Sequence, residues 1–308
     1  MPLLKGSRLI HDYGNEILNM QKKTLEITCY VCGAGAFGVF IRWLQDQLAF
    51  DEMGLAKNSV FNFLVPLLVL AAAWMFHRFV SQVESSKLYV PKNFCDALFN
   101  PGKLFAVARW TIGMIMCLGA VLLLATSETD VDAEFIRVLC ILALLSGIAF
   151  PLVLGAANYD EFAHVKLVRF GMMLPILLYA AWLVLCYKQN ALNSVVWAYV
   201  IEMATIIAAM LAFFRIAGFA FFSVKWQRCL FALMLGAMMC VMSLADERYI
   251  GMHIIMFASA LMLILYNWIL FANLKDRRKA NKSVDGTVEP AEEEAAEMPD
   301  EGGFERVR

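Results

Sequence analysis

Long apolar runs alternate with short polar segments along most of the chain. A helix needs about 20 mostly apolar residues to cross about 30 Å of hydrocarbon. Eight segments meet this requirement: 27–50, 60–80, 104–126, 135–157, 167–187, 194–214, 226–245 and 252–274. The ten-residue alternating pattern of membrane β-strands is absent from the sequence. We therefore predict an all-α fold, a polytopic membrane protein with a bundle of about eight transmembrane helices.

The polar ends of the chain flank this transmembrane domain, which we place at residues 27–274. In the N-terminal segment, residues 1–26, Ile10, Tyr13, Ile17 and Met20 recur at helical spacing and predict a short interfacial helix. The segment 275–308 is acidic beyond Lys282 and carries few large apolar residues. Its composition predicts a disordered tail.

Lysine and arginine residues are distributed unequally between alternate loops. Eighteen lie in the N-terminal segment, the even-numbered loops and the start of the tail, against five in the remaining loops and the adjoining helix ends. Cytoplasmic loops are enriched in these residues. The sequence therefore predicts a multi-pass protein of the cell (inner) membrane with a cytoplasmic N-terminus and C-terminus.

Composition narrows the functional class. Hydrophobic residues make up 61% of the 308 residues and charged residues only 17%, whereas a soluble domain carries about 25% charged residues. The basic residues flank apolar runs, so the lipid bilayer, and no nucleic acid, is the expected partner. Cys32, Cys117, Cys140 and Cys240 lie inside apolar runs and suit helix packing better than disulfides.

The stretch Gly33-Ala-Gly35-Ala-Phe-Gly38 matches the G-x-G-x-x-G fingerprint of dinucleotide sites. That fingerprint requires a strand before it and free N–H groups at a helix start. Inside a spanning helix the N–H groups are already bonded. The pairs Ala34 with Gly38 and Cys32 with Ala36 therefore favour close helix packing through small residues.

The histidines and Ser146 are the residues that could belong to a cofactor or catalytic site. The four histidines, His11, His77, His164 and His253, form no pair with the spacing of a zinc site, and none is suited to ligate haem. Ser146 has no base clearly at its depth. We therefore predict no catalytic, cofactor or metal site, and favour a protein without enzymatic activity.

Polar groups inside the predicted spans are the remaining candidates for function, since they are costly in lipid. Arg109 lies five residues into its helix beside Trp110, which predicts an interfacial anchor. Glu202 lies deeper, about 10 to 12 Å from the outer end of its helix, with Thr205 on the same face. It must be hydrated, paired or protonated, and we expect a carboxyl kept neutral by desolvation. Asn267 is a predicted interhelical hydrogen-bonding residue.

The stretch from Arg42-Trp-Leu-Gln45 to Phe50-Asp-Glu-Met-Gly54-Leu55, after a glycine-rich first span, resembles a signature of an uncharacterised group of bacterial multi-spanning membrane proteins. The resemblance covers the first span and first outer loop, about 25 residues. It implies the same topology and a bacterial inner membrane, and it implies no activity.

Three functional hypotheses follow from the sequence. The first is a binding, sensory or accessory membrane component, with a small solute or a membrane protein as partner. The second is a small-solute or lipid permease, proton-coupled through Glu202, with Pro66, Pro151 and Pro175 as helix breaks. The third is a membrane-embedded enzyme, for which the sequence offers no clustered carboxylates or histidines.

Overall fold

The computed structural model describes residues 3–48, 59–85, 88–89, 94–126, 133–159, 166–190, 196–221, 225–246 and 248–276. These residues form helices α1 (Leu3–Leu48), α2 (Ser59–Ser85), α3 (Phe94–Leu98), α4 (Lys103–Thr126), α5 (Ala133–Ala156), α6 (Lys166–Asn190), α7 (Val196–Ala217), α8 (Trp226–Met242) and α9 (Ile250–Ala272). Two 3-10 turns follow α7 and α8, at Gly218–Phe221 and Ser243–Ala245. Strands β1 (Leu88–Tyr89) and β2 (Lys275–Asp276) pair antiparallel.

All of these helices except α3 are long and apolar enough to cross a membrane, in agreement with the eight predicted spans. The protein is therefore an all-α, multi-pass membrane protein. The largest difference at a boundary concerns the sixth span, predicted to end at Phe214. It continues to Phe221, because Arg215 lies in the last turn of α7, where a long cationic side chain reaches out of the apolar region.

Helices α4 to α9 form a closed ring in which each helix packs on the next and α9 packs on α4. Helices α1 and α2 lie outside this ring against α8. The ring encloses large side chains. Tyr179 of α6 stacks on Phe213 of α7 at 5.8 Å and donates a hydrogen bond across the ring to Met256 Sδ of α9, at 3.6 Å. Apolar burial of this kind, together with dispersion contacts, stabilises the packed bundle.

Two glycines of the first span, Gly35 and Gly38, pack against α8, which supports helix packing over nucleotide binding. A Cβ on Gly35 would lie 2.8 Å from Val241 Cβ, and one on Gly38 would lie 2.8 Å from Met242 Cγ. The close pair is therefore Gly35 and Gly38. The predicted pair Cys32 and Ala36 is exposed on the outer face of α1 instead, because that face points away from α8.

The helices of the first, second, fourth and fifth spans are continuous. Residues 3–26 are helical and run into the first span without an intervening turn. Pro66, Pro151 and Pro175 each lie inside an unbroken helix, so none of them produces the helix break that the permease hypothesis invoked. Most of the predicted acidic tail, residues 277–308, lies outside the described residues.

Candidate ion-paired site at one end of the bundle

Two groups of polar residues mark the two ends of the bundle. The end that contains Arg42 of α1 and the turn between α8 and α9 is called the Arg42 end. The opposite end, which contains Asn100 and the C-terminus of α9, is called the Asn100 end. At the Arg42 end, five side chains from α1, α7 and the α8–α9 turn form one network, the Arg42 cluster: Arg42, Gln45, Glu202, Asp246 and Arg248.

Asp246 joins the two arginines of the Arg42 cluster. Its Oδ1 accepts a hydrogen bond from Arg42 Nε at 2.6 Å, and its Oδ2 accepts one from Arg248 Nη2 at 2.5 Å. Arg42 Nη1 also donates to Gln45 Oε1 at 2.6 Å, one turn further along α1. The side chains of Arg42 and Asp246 are only 3% and 8% exposed. These are buried, hydrogen-bonded ion pairs, whose loss costs much more than the loss of surface pairs.

Glu202 completes the network from α7. Its Oε1 lies 3.1 Å from Arg248 Nε, in an ion pair whose alignment falls short of a hydrogen bond. The Glu202 side chain is 19% exposed, whereas that of Arg248 is 4% exposed. Two arginines and two carboxylates therefore leave the Arg42 cluster with no formal charge, and Glu202 is the member most accessible from outside it.

An aromatic wall supports Arg248. Its Cζ lies 5.9 Å from the centroid of the Trp182 ring of α6, within the range of a cation–π interaction. Trp182 in turn stacks on Tyr179 at 5.8 Å, with the ring planes only 9° apart. The guanidinium is thus held between two carboxylates and a rigid aromatic pair inside the ring of helices.

Three groups in the described part of the α8–α9 turn are buried and lack hydrogen-bond partners among the described residues: Nε and Nη1 of Arg248 and the hydroxyl of Ser243. Nε makes the misaligned ion pair with Glu202, so Nη1 is the guanidinium nitrogen with no partner there. A buried donor without an acceptor costs about 1–3 kcal/mol. Both oxygens of Asp246 already accept from the arginines, and all three unsatisfied groups can donate.

The local sequence explains how the turn presents these groups. After α8 the chain tightens into the 3-10 turn, and Asp246 N–H donates to Ser243 O at 3.3 Å. Tyr249 O then accepts hydrogen bonds from the N–H groups of Met252 and His253, which starts α9. This compact connection leaves the short segment around Asp246 folded back between α1 and α7.

The structure separates the three predicted polar residues. Glu202 lies at the Arg42 end and is paired, which is one of the three states predicted for it. Thr205 is fully buried, and its hydroxyl donates to Ile201 O of its own helix at 2.9 Å. Asn267 lies 17 residues into α9, about 25 Å from the start of that helix. It is buried, and its Oδ1 has no hydrogen-bond partner among the described residues.

Arg109 belongs to a polar network at the Asn100 end. Its Nη1 donates to Asn100 Oδ1 at 3.2 Å, and Asn100 Nδ2 donates to Leu98 O and Leu154 O at 2.5 and 3.1 Å. Arg109 is half-buried, while its neighbour Trp110 is 50% exposed and faces outward. Trp110 therefore has the exposure of the predicted interfacial anchor, whereas Arg109 also cross-links the start of α4 to the end of α5.

Asn158 and Asn273 extend this network. Asn158 Oδ1 accepts a hydrogen bond from Asn100 N at 2.8 Å, and Asn273 Nδ2 donates to Ala97 O and Phe99 O at 2.9 Å each. The asparagines thereby satisfy carbonyl groups at the end of α3, which have no intrahelical donor.

Glu202 was predicted from its depth in the span, whereas its partners were not among the predicted functional residues. Arg42 and Asp246 are both buried. A usable signal existed: Arg42, Glu202 and the Asp246-to-Arg248 turn all map to the same end of their predicted spans. Charges of both signs at one depth in several spans indicate pairing.

No group of three or more histidine, cysteine or acidic side chains suited to a metal ion occurs in the part of the chain that the structure describes. No protein-family model, curated protein or solved structure matches the chain. The resemblance of the first span to a bacterial group stays a prediction.

Proposed function

We propose that this protein is a binding, sensory or accessory component of the membrane, and that the Arg42 cluster is its binding site for an ionic small solute. The single observation that carries the proposal is the buried guanidinium of Arg248, whose Nη1 has no hydrogen-bond partner among the described residues and whose Nε makes only a misaligned ion pair with Glu202. Buried polar groups in native proteins are nearly always satisfied, so an unsatisfied one is a candidate contact for a ligand.

The surroundings of Arg248 support the same function. A binding site needs a few placed polar groups against a rigid, largely apolar wall. Asp246 and Glu202 fix the guanidinium from one side, and Trp182 lies against its face. The site lies at the end of the bundle, where the Glu202 side chain is 19% exposed.

Ligand-induced thermal stabilisation of the purified protein in detergent tests this proposal. A panel at equal ionic strength would contain small anions, cations, zwitterions and neutral polar solutes, and a bound solute raises the melting temperature. We expect at least one class to stabilise the unaltered protein and to lose this effect in Arg248→Lys. Stabilisation by no class, or equal stabilisation of the variant, would overturn the proposal.

The matched control is Arg137→Lys. Arg137 lies in the first turns of α5 at the same end of the bundle, but its side chain is 53% exposed and pairs only locally with Glu134, at 2.7 Å. This variant changes the same functional group outside the site, so it should keep the ligand response of the unaltered protein.

A permease remains the second candidate, and the exposure of Glu202 favours it. This carboxylate borders the accessible side of the cluster and is paired with a cation. Its protonation would remove one of the two carboxylates that pair with Arg248, which is a means of coupling protons to transport. Uptake by proteoliposomes of the stabilising solute should then depend on a pH gradient, and Glu202→Gln should remove that dependence. Binding without any uptake would restrict the protein to the first function.

For orientation, we infer that the Arg42 end faces away from the cytoplasm and that both termini are cytoplasmic, in a bacterial inner membrane. The excess of basic residues on the other side supports this assignment. A fluorescent reporter fused after Arg308 should be active, and a reporter that folds only outside the cytoplasm should be active when inserted after Asn190, where α6 ends. If the results placed Arg308 and Asn190 on the same side of the membrane, the topology would be wrong.

A further inference from the structure

The groups around Arg248 also indicate what kind of solute the Arg42 cluster takes. Resting on the proposed function above, we propose that the ligand is a small zwitterion whose carboxylate and cationic nitrogen are separated by one carbon, as in an α-amino acid. The juxtaposition that carries this is the unsatisfied Nη1 of buried Arg248 beside the partly exposed carboxylate of Glu202.

The unsatisfied groups call for an oxygen ligand with negative charge. Arg248 Nη1 is a donor only, and the nearby hydroxyl of Ser243 can also donate. Guanidinium groups bind carboxylates and phosphates through such N–H groups, and these charge-assisted bonds are among the strongest in proteins. A cation alone would leave both donors unsatisfied.

Charge balance argues against a simple anion. Arg42 and Arg248 already compensate Asp246 and Glu202, so the cluster has no surplus positive charge. An added carboxylate alone would leave one buried negative charge unpaired, which is strongly unfavourable. A zwitterion adds no net charge, because its cationic nitrogen can pair with Glu202 while its carboxylate accepts from Arg248.

The distance between the two recognition groups sets the size of the ligand's charged part. Glu202 Oε1 lies 3.1 Å from Nε of the guanidinium whose Nη1 is unsatisfied. Both recognition groups therefore lie on or against a single guanidinium, which favours a compact zwitterion over one whose charges are far apart. An α-amino acid is such a compact zwitterion, whereas a long ω-amino acid in its extended form carries the same charges further apart.

The decisive experiment compares four probes on the unaltered full-length protein in detergent: L-alanine, 6-aminohexanoate, acetate and methylammonium. We expect L-alanine to raise the melting temperature at a concentration at least about tenfold lower than any other probe, as the loss of one charged hydrogen bond implies. Arg248→Lys and Glu202→Gln should each weaken the L-alanine effect about tenfold or more. Glu134→Gln, which alters an exposed carboxylate at the same end, should not.

Each other outcome overturns the inference in a recognisable way. Equal stabilisation by acetate identifies a simple anion site, and equal stabilisation by methylammonium identifies a cation site, and either result leaves the proposed binding function intact. If 6-aminohexanoate stabilises the protein as strongly as L-alanine, the charges of the ligand need not be separated by one carbon. No response to the four probes overturns the zwitterion class, whereas no response to the whole solute panel overturns the binding function as well and leaves Arg248 Nη1 to bound water. The probe comparison does not depend on whether the variants fold.

Discussion

The two ends of the bundle pair their buried polar groups through different chemistry. At the Arg42 end, charged side chains from three separate parts of the chain pair with each other in a buried network. At the Asn100 end, neutral asparagine amides bind backbone carbonyls at helix ends, and one arginine joins them. The first arrangement is costly unless every partner is present, whereas the second satisfies groups that any helix end leaves free. A charged network in a bundle with few buried charges is therefore the better candidate for function.

The largest difference should appear when one partner is removed at the Arg42 end. Arg42→Met should lower the free energy of unfolding by about 3–5 kcal/mol, because Asp246 loses a buried cation. Reversible unfolding in mixed detergent micelles measures this, with Arg137→Met as the exposed control. The double variant Arg42→Met, Asp246→Asn should recover part of the loss. A loss no greater than in the control would show that the pairs contribute little.

A second effect concerns close backbone packing at the Arg42 end. A Cβ on Gly251 of α9 would overlap the backbone nitrogen of Leu123 in α4 and lie 2.5 Å from its Cα. Backbone atoms cannot move aside as a side chain can, so Gly251→Ala should destabilise the protein by about 1–3 kcal/mol. The control Gly33→Ala, with no neighbour within 4 Å, should be neutral or slightly stabilising. Equal free energies of unfolding for Gly251→Ala and Gly33→Ala would argue against the packing of α4 on α9.

The neutral network should respond more weakly than the charged one. Asn100→Leu keeps the approximate volume but removes the donors to Leu98 O and Leu154 O, so we expect a loss of about 1–2 kcal/mol. Asn190→Leu, which loses bonds only within its own helix, to Cys186 O and weakly to Cys186 Sγ, is the matched control and should lose less than about 1 kcal/mol. A loss for Asn100→Leu as large as for Arg42→Met would remove the contrast between the ends.

The smallest effect is expected at Gly155, near the Asn100 end. A Cβ there would meet the tip of Arg109, 3.3 Å from its Cζ, and that long side chain can give way. Since alanine also favours the helix over glycine, Gly155→Ala should stay within about 1 kcal/mol of the unaltered protein. A destabilisation as large as that of Gly251→Ala would show that Arg109 is held rigidly by Asn100.

The sequence was sufficient to locate the spans but insufficient to predict which helices pack against each other. Hydropathy depends on neighbouring residues, and it located all eight helices, including the first, which Arg42 and Asp46 weakened. The arrangement of α4 to α9 in a ring depends on side-chain complementarity between distant segments, which no local pattern contains. Glycine spacing predicted close packing of α1, but it could not select which face of the helix meets α8.

The candidate site was predictable to the same limited extent. The depth of Glu202 required hydration, pairing or protonation, and the structure provides pairing with Arg248. The expectation of a neutral Glu202 carboxyl rested on the absence of a predicted cation beside it. Arg248 is one of the five basic residues counted in the less basic loops, and such a count treats each of them as exposed. Only the folded turn, closed by the hydrogen bond from Asp246 N to Ser243 O, buries it.

The distance along the chain between Arg42 and Asp246, 204 residues, has a consequence for biogenesis. At about 5–20 residues per second, the ribosome needs roughly 10–40 s to supply Asp246 after Arg42 has been made. During that interval the first helix must enter the bilayer with a cation that costs about 2.5–3.5 kcal/mol near the centre of a lipid-exposed helix and less near its end. Nascent chains that stall before the α8–α9 turn is made therefore keep Arg42 in their first span without the Asp246 carboxylate. Such chains should be the preferred targets of membrane proteases that degrade incompletely assembled proteins.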